Sequence, residues 1–316
     1  MIKNRRAFII GLKGYKISKK EIFFLKKFKP WGIILFSRNI KSIQQVKNLN
    51  LHIKEIFSDR NYPILIDEEG GSVSRLNKIL ISSNFTGQYF GGKYDADRKN
   101  FNKYADIYIN QISFLLRDLG ININNSPILD IKRKISDIII GSRSFSSNKF
   151  IVSKIGKYFI EKFHENKIAT VMKHIPGHGL AKVDSHKKTP IVYKNFNYLL
   201  KNDFIPFKNQ KSLFAMTAHI IYKNIDKNNT ATHSKEAISI IRKKIKFNNI
   251  IITDDISMKA LKFSIKKNTT MAFSAGCNLV LHCNAKMSEM IQVAENSPKL
   301  DNFLMKKTLE FYKLVS

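Results

Sequence analysis

The segment Ala169–Gly179, ATVMKHIPGHG, runs from a short apolar stretch into two basic residues and then into a loop rich in proline and glycine. Seven further short apolar runs occur along the chain, each bounded by polar residues or glycine. Continuous rather than alternating hydrophobicity is typical of parallel strands that are covered on both faces. The eight predicted strands have the sequences AFIIGL, GIILFS, PILID, NSPILD, ATVMKHI, LFAMTAHI, NIIITDD and NLVLHC.

Longer segments with the spacing of amphipathic helices separate these strands. Examples span residues 18–28, 41–57, 104–119, 149–165, 234–247 and 259–276, and residues 299–316 predict a terminal helix. Strand followed by helix, repeated about eight times without a flexible linker, predicts an α/β fold: a TIM-type (β/α)8 barrel with some irregular strands, in a single domain of residues 1–316. A doubly wound open sheet is the structural alternative.

Polar side chains at the predicted strand ends favour the barrel. They are Asp67, Asp130, Lys173, His174, His219 and Asp254. The carboxyl ends of all barrel strands meet on one face, where the active sites of this fold are built. Several distant segments are therefore expected to form one pocket.

The bulk composition predicts a protein with a large core and no disulfide framework. The chain has 316 residues, 43% of them hydrophobic, and only two cysteines, Cys277 and Cys283, which suits a reducing compartment. The amino-terminal apolar run is short and lacks a cleavage pattern, and no apolar segment approaches the roughly 18 residues of a membrane span. We expect an untargeted cytoplasmic protein without a membrane span.

The formal net charge of +31 raises nucleic acid or an anionic surface as a partner. Lysines are scattered along nearly every segment, however, among many Asn and Ile residues. We interpret the charge as a compositional bias and expect no nucleic-acid partner. A basic protein that binds nucleic acid or an anionic glycan stays the alternative.

Two adjacent carboxylates, Asp254 and Asp255, follow the strand NIIIT and precede a predicted helix. Alternation along a strand sends the two side chains in opposite directions, so one of them is expected to lie centrally in the pocket. We choose Asp254. A helix cap formed by the pair is the alternative interpretation.

Two arginines are candidate ligand-binding residues. Asp67 and Arg75 flank the Gly70–Gly71 turn in IDEEGGSVSR, where they can accept from and donate to the hydroxyls of a ligand; a structural salt bridge is equally compatible. Arg143, in IGSRSF, is expected in a loop with an exposed guanidinium.

The loop after Lys173 and His174 is predicted to be mobile because PGHGLAKVDSH contains too much proline and glycine for regular structure. Asp184 and His186 are two residues apart. A carboxylate at that distance can fix the tautomer of an imidazole and leave its other nitrogen free for proton transfer. A metal site of a metallohydrolase is the rival interpretation, with His174, His178, Asp184 and His186 as its ligands.

At these residues the chain resembles the bacterial cytoplasmic β-N-acetylhexosaminidases of glycoside hydrolase family 3. The segment KHIPGHGLAKVDSH, residues 173–186, matches the highly specific pattern K-H-[FI]-P-G-H-G-x4-D-S-H. Further matches are WGIILFSRNI, IDEEGGSVSR, IGSRSF, MTAHIIY and TDDISM. They run in order from about Trp31 to Asn284 and so cover most of the chain.

The resemblance implies a role for each candidate residue. Asp254 matches the nucleophile, His186 the proton donor and Asp184 its dyad partner. The implied N-acetylglucosamine ligands are Asp67, Arg75, Arg143, Lys173 and His174. It also implies retention of configuration, muropeptide substrates from peptidoglycan recycling, and no metal or organic cofactor. We expect the protein to be a monomer.

Four positions depart from the family pattern. They are Glu68 for Gln, Ser72 for Arg, Ser142 for Asp and Lys259 for an acidic residue. None is an implied catalytic position, so we expect them to affect ligand affinity and loop packing more than the class of reaction.

Overall fold

Eight parallel strands close into a barrel in the computed structural model, which describes residues 2–134, 139–185 and 187–316. The barrel strands are β1 Arg6–Gly11, β2 Pro30–Leu35, β3 Ile64–Ile66, β4 Ile123–Asn124, β5 Ala169–Ile175, β7 Phe214–Thr217, β9 Ile250–Asp255 and β10 Leu279–His282. Two others, β6 Ile191–Val192 and β8 Ile221–Tyr222, form a separate parallel pair. The order around the barrel is β1-β10-β9-β7-β5-β4-β3-β2, so the predicted (β/α)8 barrel is confirmed and the open sheet is excluded.

Helices cover the outside of the barrel. They are α1 Lys19–Phe28, α2 Ile43–Phe57, α3 Gly87–Ala96, α4 Phe101–Asp118, α5 Lys149–Glu165, α6 Phe196–Lys201, α7 Lys235–Ile240, α8 Ile265–Ala275, α9 Met287–Glu295 and α10 Asn302–Val315. The start of α1 shows how the sequence sets these ends: the Ser18 hydroxyl accepts from the Glu21 amide, and the Glu21 carboxylate accepts from the Ser18 amide. This capping box satisfies two amides that the helix leaves unpaired.

The core has two layers because side chains alternate along each strand. An outer layer packs between strands and helices, and an inner layer fills the barrel. On β9, Ile250 and Ile252 belong to the inner layer and Ile251 to the outer one. The same alternation decides which polar side chains at the strand ends point towards the barrel axis.

Helix α10 closes the end of the barrel opposite the carboxyl ends of the strands. Leu304 and Phe311 pack into the inner layer, and the Trp31 indole donates to the Thr308 hydroxyl at 2.9 Å. The barrel is therefore plugged at one end and accessible from the other. No helix among the described residues has the length and hydropathy to cross a bilayer.

The predicted fourth strand, NSPILD at 125–130, is wrong: β4 is only Ile123–Asn124. Pro127 has no amide hydrogen for a ladder, although its carbonyl accepts from the Lys173 amide and the Lys173 carbonyl accepts from Leu129. The segment thus follows β5 loosely instead of forming a strand.

Helix predictions were less complete than strand predictions. Helices α3, α6 and α9 are not among the example segments named from the sequence, and the segment predicted at 259–276 becomes helical only at Ile265, after the Ser264 cap. The segment predicted at 234–247 changes from α-helix to a π-helical turn at Ile241–Ile245.

Two neighbouring glycines in α3 give a matched test of how this helix packs. A Cβ at Gly91 would overlap the carbonyl oxygen of Phe145, whereas a Cβ at Gly92 would meet no atom within 4 Å. We predict that Gly91→Ala lowers the free energy of unfolding by about 1–3 kcal/mol through overpacking. Gly92→Ala should leave it unchanged or raise it by up to about 1 kcal/mol, because alanine is the better helix former. Urea denaturation measures both, and equal effects would contradict the packing.

Candidate active site

A cavity of about 290 Å³ lies at the carboxyl ends of the barrel strands. It is lined by seven of the eight residues proposed from the sequence: Asp67, Arg75, Arg143, Lys173, His174, Asp184 and Asp254. The eighth, His186, lies outside the described residues. Segments more than 180 positions apart in the chain therefore contribute to one pocket.

Strand parity explains which side chains reach this cavity. Three strands continue their inner-layer positions into it: Leu65 is followed by Asp67 and Glu69, Val171 by Lys173, and Ile252 by Asp254. The side chains of the inner layer lie in stacked levels along the axis of such a barrel. The charged cavity is therefore the next level above an apolar core.

A buried lysine connects two carboxylates on the floor of the cavity. The Lys173 ammonium lies 3.0 Å from Asp67 Oδ1 and 2.7 Å from Glu69 Oε1. Glu69 also accepts from Arg143, at 2.8 Å from Nε and 2.9 Å from Nη2. Arg75 Nη2 lies 3.5 Å from Asp67 Oδ2. We call this set, Asp67, Glu69, Arg75, Arg143 and Lys173, the charge cluster.

Each charge in the cluster keeps its neighbours ionised. Burial alone would raise the pKa of Asp67, but Lys173 and Arg75 hold that pKa well below its usual range. Burial opposes ionisation of Glu69 as well, and Arg143 with Lys173 lowers its pKa to about 2. Burial would lower the pKa of Lys173, and the two carboxylates raise it instead. The cluster is thus fully charged at neutral pH.

Arg143 does not have the exposed guanidinium that was expected from the sequence. Its side chain is 18% exposed and forms a two-pronged pair with Glu69, while Nη1 donates to the Ile139 carbonyl. Arg143 still lines the cavity, but as a group held in place by Glu69.

Glu69 is a site residue that the sequence reasoning missed. The sequence feature that indicates Glu69 is its position two residues after Asp67, because this spacing places both side chains on the same side of an extended chain. Glu68 points the other way and is buried. Its carboxylate accepts from the Ser74 and Ser82 hydroxyls and from the amides of Arg75 and Leu76.

Glu68, which replaces the Gln of the family pattern, therefore stabilises the conformation of a loop. Four donors converge on one carboxylate and fold residues 68–82 back on themselves. Burial nevertheless raises its pKa. Because one of the donors is the backbone of Arg75, Glu68 positions the arginine without entering the cavity.

Asp254 and Asp255 both reach the cavity, but with different attachments. Asp255 accepts from the Ser257 amide and hydroxyl at 3.0 and 2.8 Å and from the Cys283 amide at 3.1 Å. Asp254 Oδ1 accepts from the amide of Asp255 at 2.7 Å. Asp255 is thus held by the turn that follows β9, whereas Asp254 continues the inner-layer series of the strand.

The histidine-rich loop lines the cavity at both of its ends, with His178 at one end and Asp184 and Ser185 at the other. His178 is 3% exposed, and burial lowers its pKa to about 4, so its ring is neutral at pH 7. Asp184 and Ser185 line the cavity, and the Ser185 carbonyl accepts from the Ala260 amide. The loop is anchored to the β9 side of the mouth at that point.

The metal interpretation of the loop requires several ligands around one point. Within residues 2–134, 139–185 and 187–316, no group of three or more His, Cys, Asp and Glu residues is placed to hold an ion. His174 Nδ1 is directed at Asp130, 2.7 Å from its Oδ2. Asp130 was recognised in the sequence as a strand-end residue but was given no role.

Residues 7–307 match the N-terminal domain of glycosyl hydrolase family 3, so the chain belongs to this family and is a glycoside hydrolase. This class of enzyme is favoured over the binding-protein and metallohydrolase alternatives.

The particular proteins it is similar to are named β-hexosaminidases. One from Haemophilus influenzae is 30% identical over 304 residues, 94% of this chain and 84% of that protein. One from Haemophilus ducreyi is 32% identical over 289 residues, 87% and 80% of the two chains. The fold is also that of NagZ from Neisseria gonorrhoeae in complex with N-trifluoroacetyl-D-glucosamine, with a TM-score of 0.85, 24% identity, and coverage of 99% of this chain and 90% of that one.

Removing one charge from the cluster should be far more costly than removing a surface charge. In Glu69→Gln, Lys173 and Arg143 lose the carboxylate between them and stay buried, so we predict a loss of about 3–5 kcal/mol in the free energy of unfolding. Glu165→Gln breaks an exposed pair with Lys162 and should cost less than about 1 kcal/mol. Urea denaturation of both variants measures the contrast. Similar losses would show that the cluster is not a buried ion-pair system.

Proposed function

We propose that the protein is a retaining exo-β-N-acetylglucosaminidase that removes terminal β-linked N-acetylglucosamine from muropeptides during peptidoglycan recycling in the cytoplasm. Membership of glycoside hydrolase family 3 and the β-hexosaminidase names of the relatives support the activity. The sequence match at residues 173–186 supports the more specific substrate. The protein acts as a single catalytic domain and as a monomer.

The observation that carries the proposal is a cavity, open at the barrel mouth, in which a pre-assembled charge cluster and a strand-end carboxylate, Asp254, share the lining. The apolar core below it, with Met216 and Leu281 at the cavity wall, makes the cavity blind. A blind cavity of about 290 Å³ suits one terminal sugar ring and not the interior of a glycan chain. This shape supports exo-action.

The charge cluster and His174 hold the sugar. Asp67 offers carboxylate oxygens to sugar hydroxyls, while Arg75, Arg143 and Lys173 donate from fixed positions. Because the ion pairs already fix these side chains, little conformational entropy is lost when the sugar binds. The donors and acceptors for hydroxyl recognition are thus in place before the substrate arrives.

In the first displacement, Asp254 attacks the anomeric carbon and the leaving oxygen takes a proton from His186. The bond to the aglycone breaks through an oxocarbenium-like transition state, and a covalent glycosyl-Asp254 ester forms. Asp184 orients the His186 imidazole and stabilises its protonated form. Loop closure over the cavity brings the acid to the leaving oxygen and excludes bulk water.

In the second displacement, neutral His186 takes a proton from a water molecule that attacks the same carbon. The bond to Asp254 breaks, and N-acetylglucosamine leaves with its β configuration retained. The chain itself provides nucleophile, acid and base, so the proposed reaction uses no metal or organic cofactor.

Hydrolysis of a chromogenic β-N-acetylglucosaminide tests the proposal. We predict turnover by the wild type, unchanged by a metal chelator, and no detectable turnover by Asp254→Ala, which lacks the nucleophile. Asp118→Asn is the control: this half-exposed carboxylate pairs with Lys47 on the outer helices and should retain wild-type rates.

Three results would count against the proposal. Absence of wild-type turnover would contradict the proposed activity, and wild-type rates in Asp254→Ala would contradict the role of Asp254 as nucleophile. Loss of activity on chelation would restore the metallohydrolase alternative.

A further inference from the structure

Asp130 is a fully buried carboxylate that contacts three segments of the active site. It is 1% exposed and lies in the irregular segment after β4. Its Oδ2 is 2.7 Å from His174 Nδ1, and its Oδ1 accepts from the His178 amide at 2.6 Å. Its carbonyl accepts from the Ser144 hydroxyl at 2.6 Å, next to Arg143. One residue therefore joins the end of β5, the histidine-rich loop and the Arg143 loop.

The charge state of Asp130 determines what His174 can carry at Nδ1. Burial would raise the pKa of Asp130, but His174 and His178 lower it overall, so the group is an ionised carboxylate at neutral pH. An ionised carboxylate only accepts hydrogen bonds. The short contact with Oδ2 therefore requires a hydrogen on His174 Nδ1.

We propose that Asp130 is a positioning residue that holds His174 as the neutral imidazole with its hydrogen on Nδ1, and that Nε2 of this tautomer accepts from a hydroxyl of the bound sugar. The proposal rests on the proposed function in one respect, that the ligand is a sugar held by His174. A neutral imidazole has one donor and one acceptor nitrogen, and the partner of one fixes the role of the other.

The backbone contacts of Asp130 add a second constraint. Both oxygens also lie 3.2–3.3 Å from the His174 amide, so the carboxylate fixes the backbone and the ring of the same residue. The ring then has little freedom to rotate away from the cavity. At metal sites, a carboxylate that orients a ligand histidine in this way typically contributes roughly 10- to 100-fold to affinity or activity, and we take that scale as a guide here.

Asp130→Asn separates positioning from simple packing because the amide has the same shape. Its oxygen can keep the contacts with backbone amides, while its NH₂ group faces His174 Nδ1 and donates to it. The ring should then switch to the Nε2-protonated tautomer, and the cavity acceptor becomes a donor. We expect KM for a chromogenic β-N-acetylglucosaminide to rise roughly 10- to 100-fold with a smaller change in kcat, as for a lost ligand-binding contact.

Nitrogen-15 NMR of histidine-labelled protein without ligand reads the tautomer directly, with His174→Gln used to assign the signal. We expect Nδ1–H in the wild type and Nε2–H in Asp130→Asn. The control is Asp59→Asn, at the opposite end of the barrel, where the carboxylate pairs with Arg5. It should lower stability without changing the His174 spectrum or KM.

An Nε2–H signal in the wild type would overturn the proposal, as would an unchanged tautomer and KM in Asp130→Asn. If that variant does not fold, the wild-type spectrum alone decides. Because the spectrum needs no substrate, a failure of the proposed function appears only as absent turnover by the wild type and is distinguishable from a failure of this inference.

Discussion

A lysine ammonium that is buried at the end of a strand is stable only when carboxylates surround it, and Lys173 has two of them. This contact joins β5 to the segment after β3, and through Glu69 it also fixes Arg143. Each group is costly to bury alone but is kept ionised by the others. The cluster thus gives the mouth of the barrel a rigid polar lining without a ligand.

The fold was predictable because the hydrophobic runs and their order indicate an α/β fold with parallel strands, and the polar residues at the strand ends favour the closed barrel over the open sheet. Two kinds of element were not. Strand β4 is only Ile123–Asn124, since its apolar continuation carries Pro127 and follows β5 without forming a ladder. Helices α3, α6 and α9 have only six to ten residues each, and periodicity over so few residues is weak evidence.

The sequence predicted which residues belong to the candidate site, but not which of them contact one another. Strand ends and motif matches identified seven residues that line the cavity, and Glu69 could have been found because it lies two residues after Asp67 in an extended segment. The partners could not be found this way, because ion pairs such as Arg143 with Glu69 join residues 74 positions apart in the chain. Asp130 shows the same limit: its role follows from contacts with His174 and His178 that only the folded chain brings together.

The central claim, that this barrel hydrolyses its substrate through Asp254 with His186 as acid and base, is tested most directly by trapping the intermediate. With an activated aryl β-N-acetylglucosaminide, His186→Ala should still form the glycosyl ester but release it slowly, because the leaving group needs little protonation and water lacks its base. Acid quench, digestion and mass spectrometry should then find one N-acetylglucosaminyl group on the peptide that contains Asp254, at Asp254 itself. Product formation with no adduct, or an adduct on Asp255, would contradict the account.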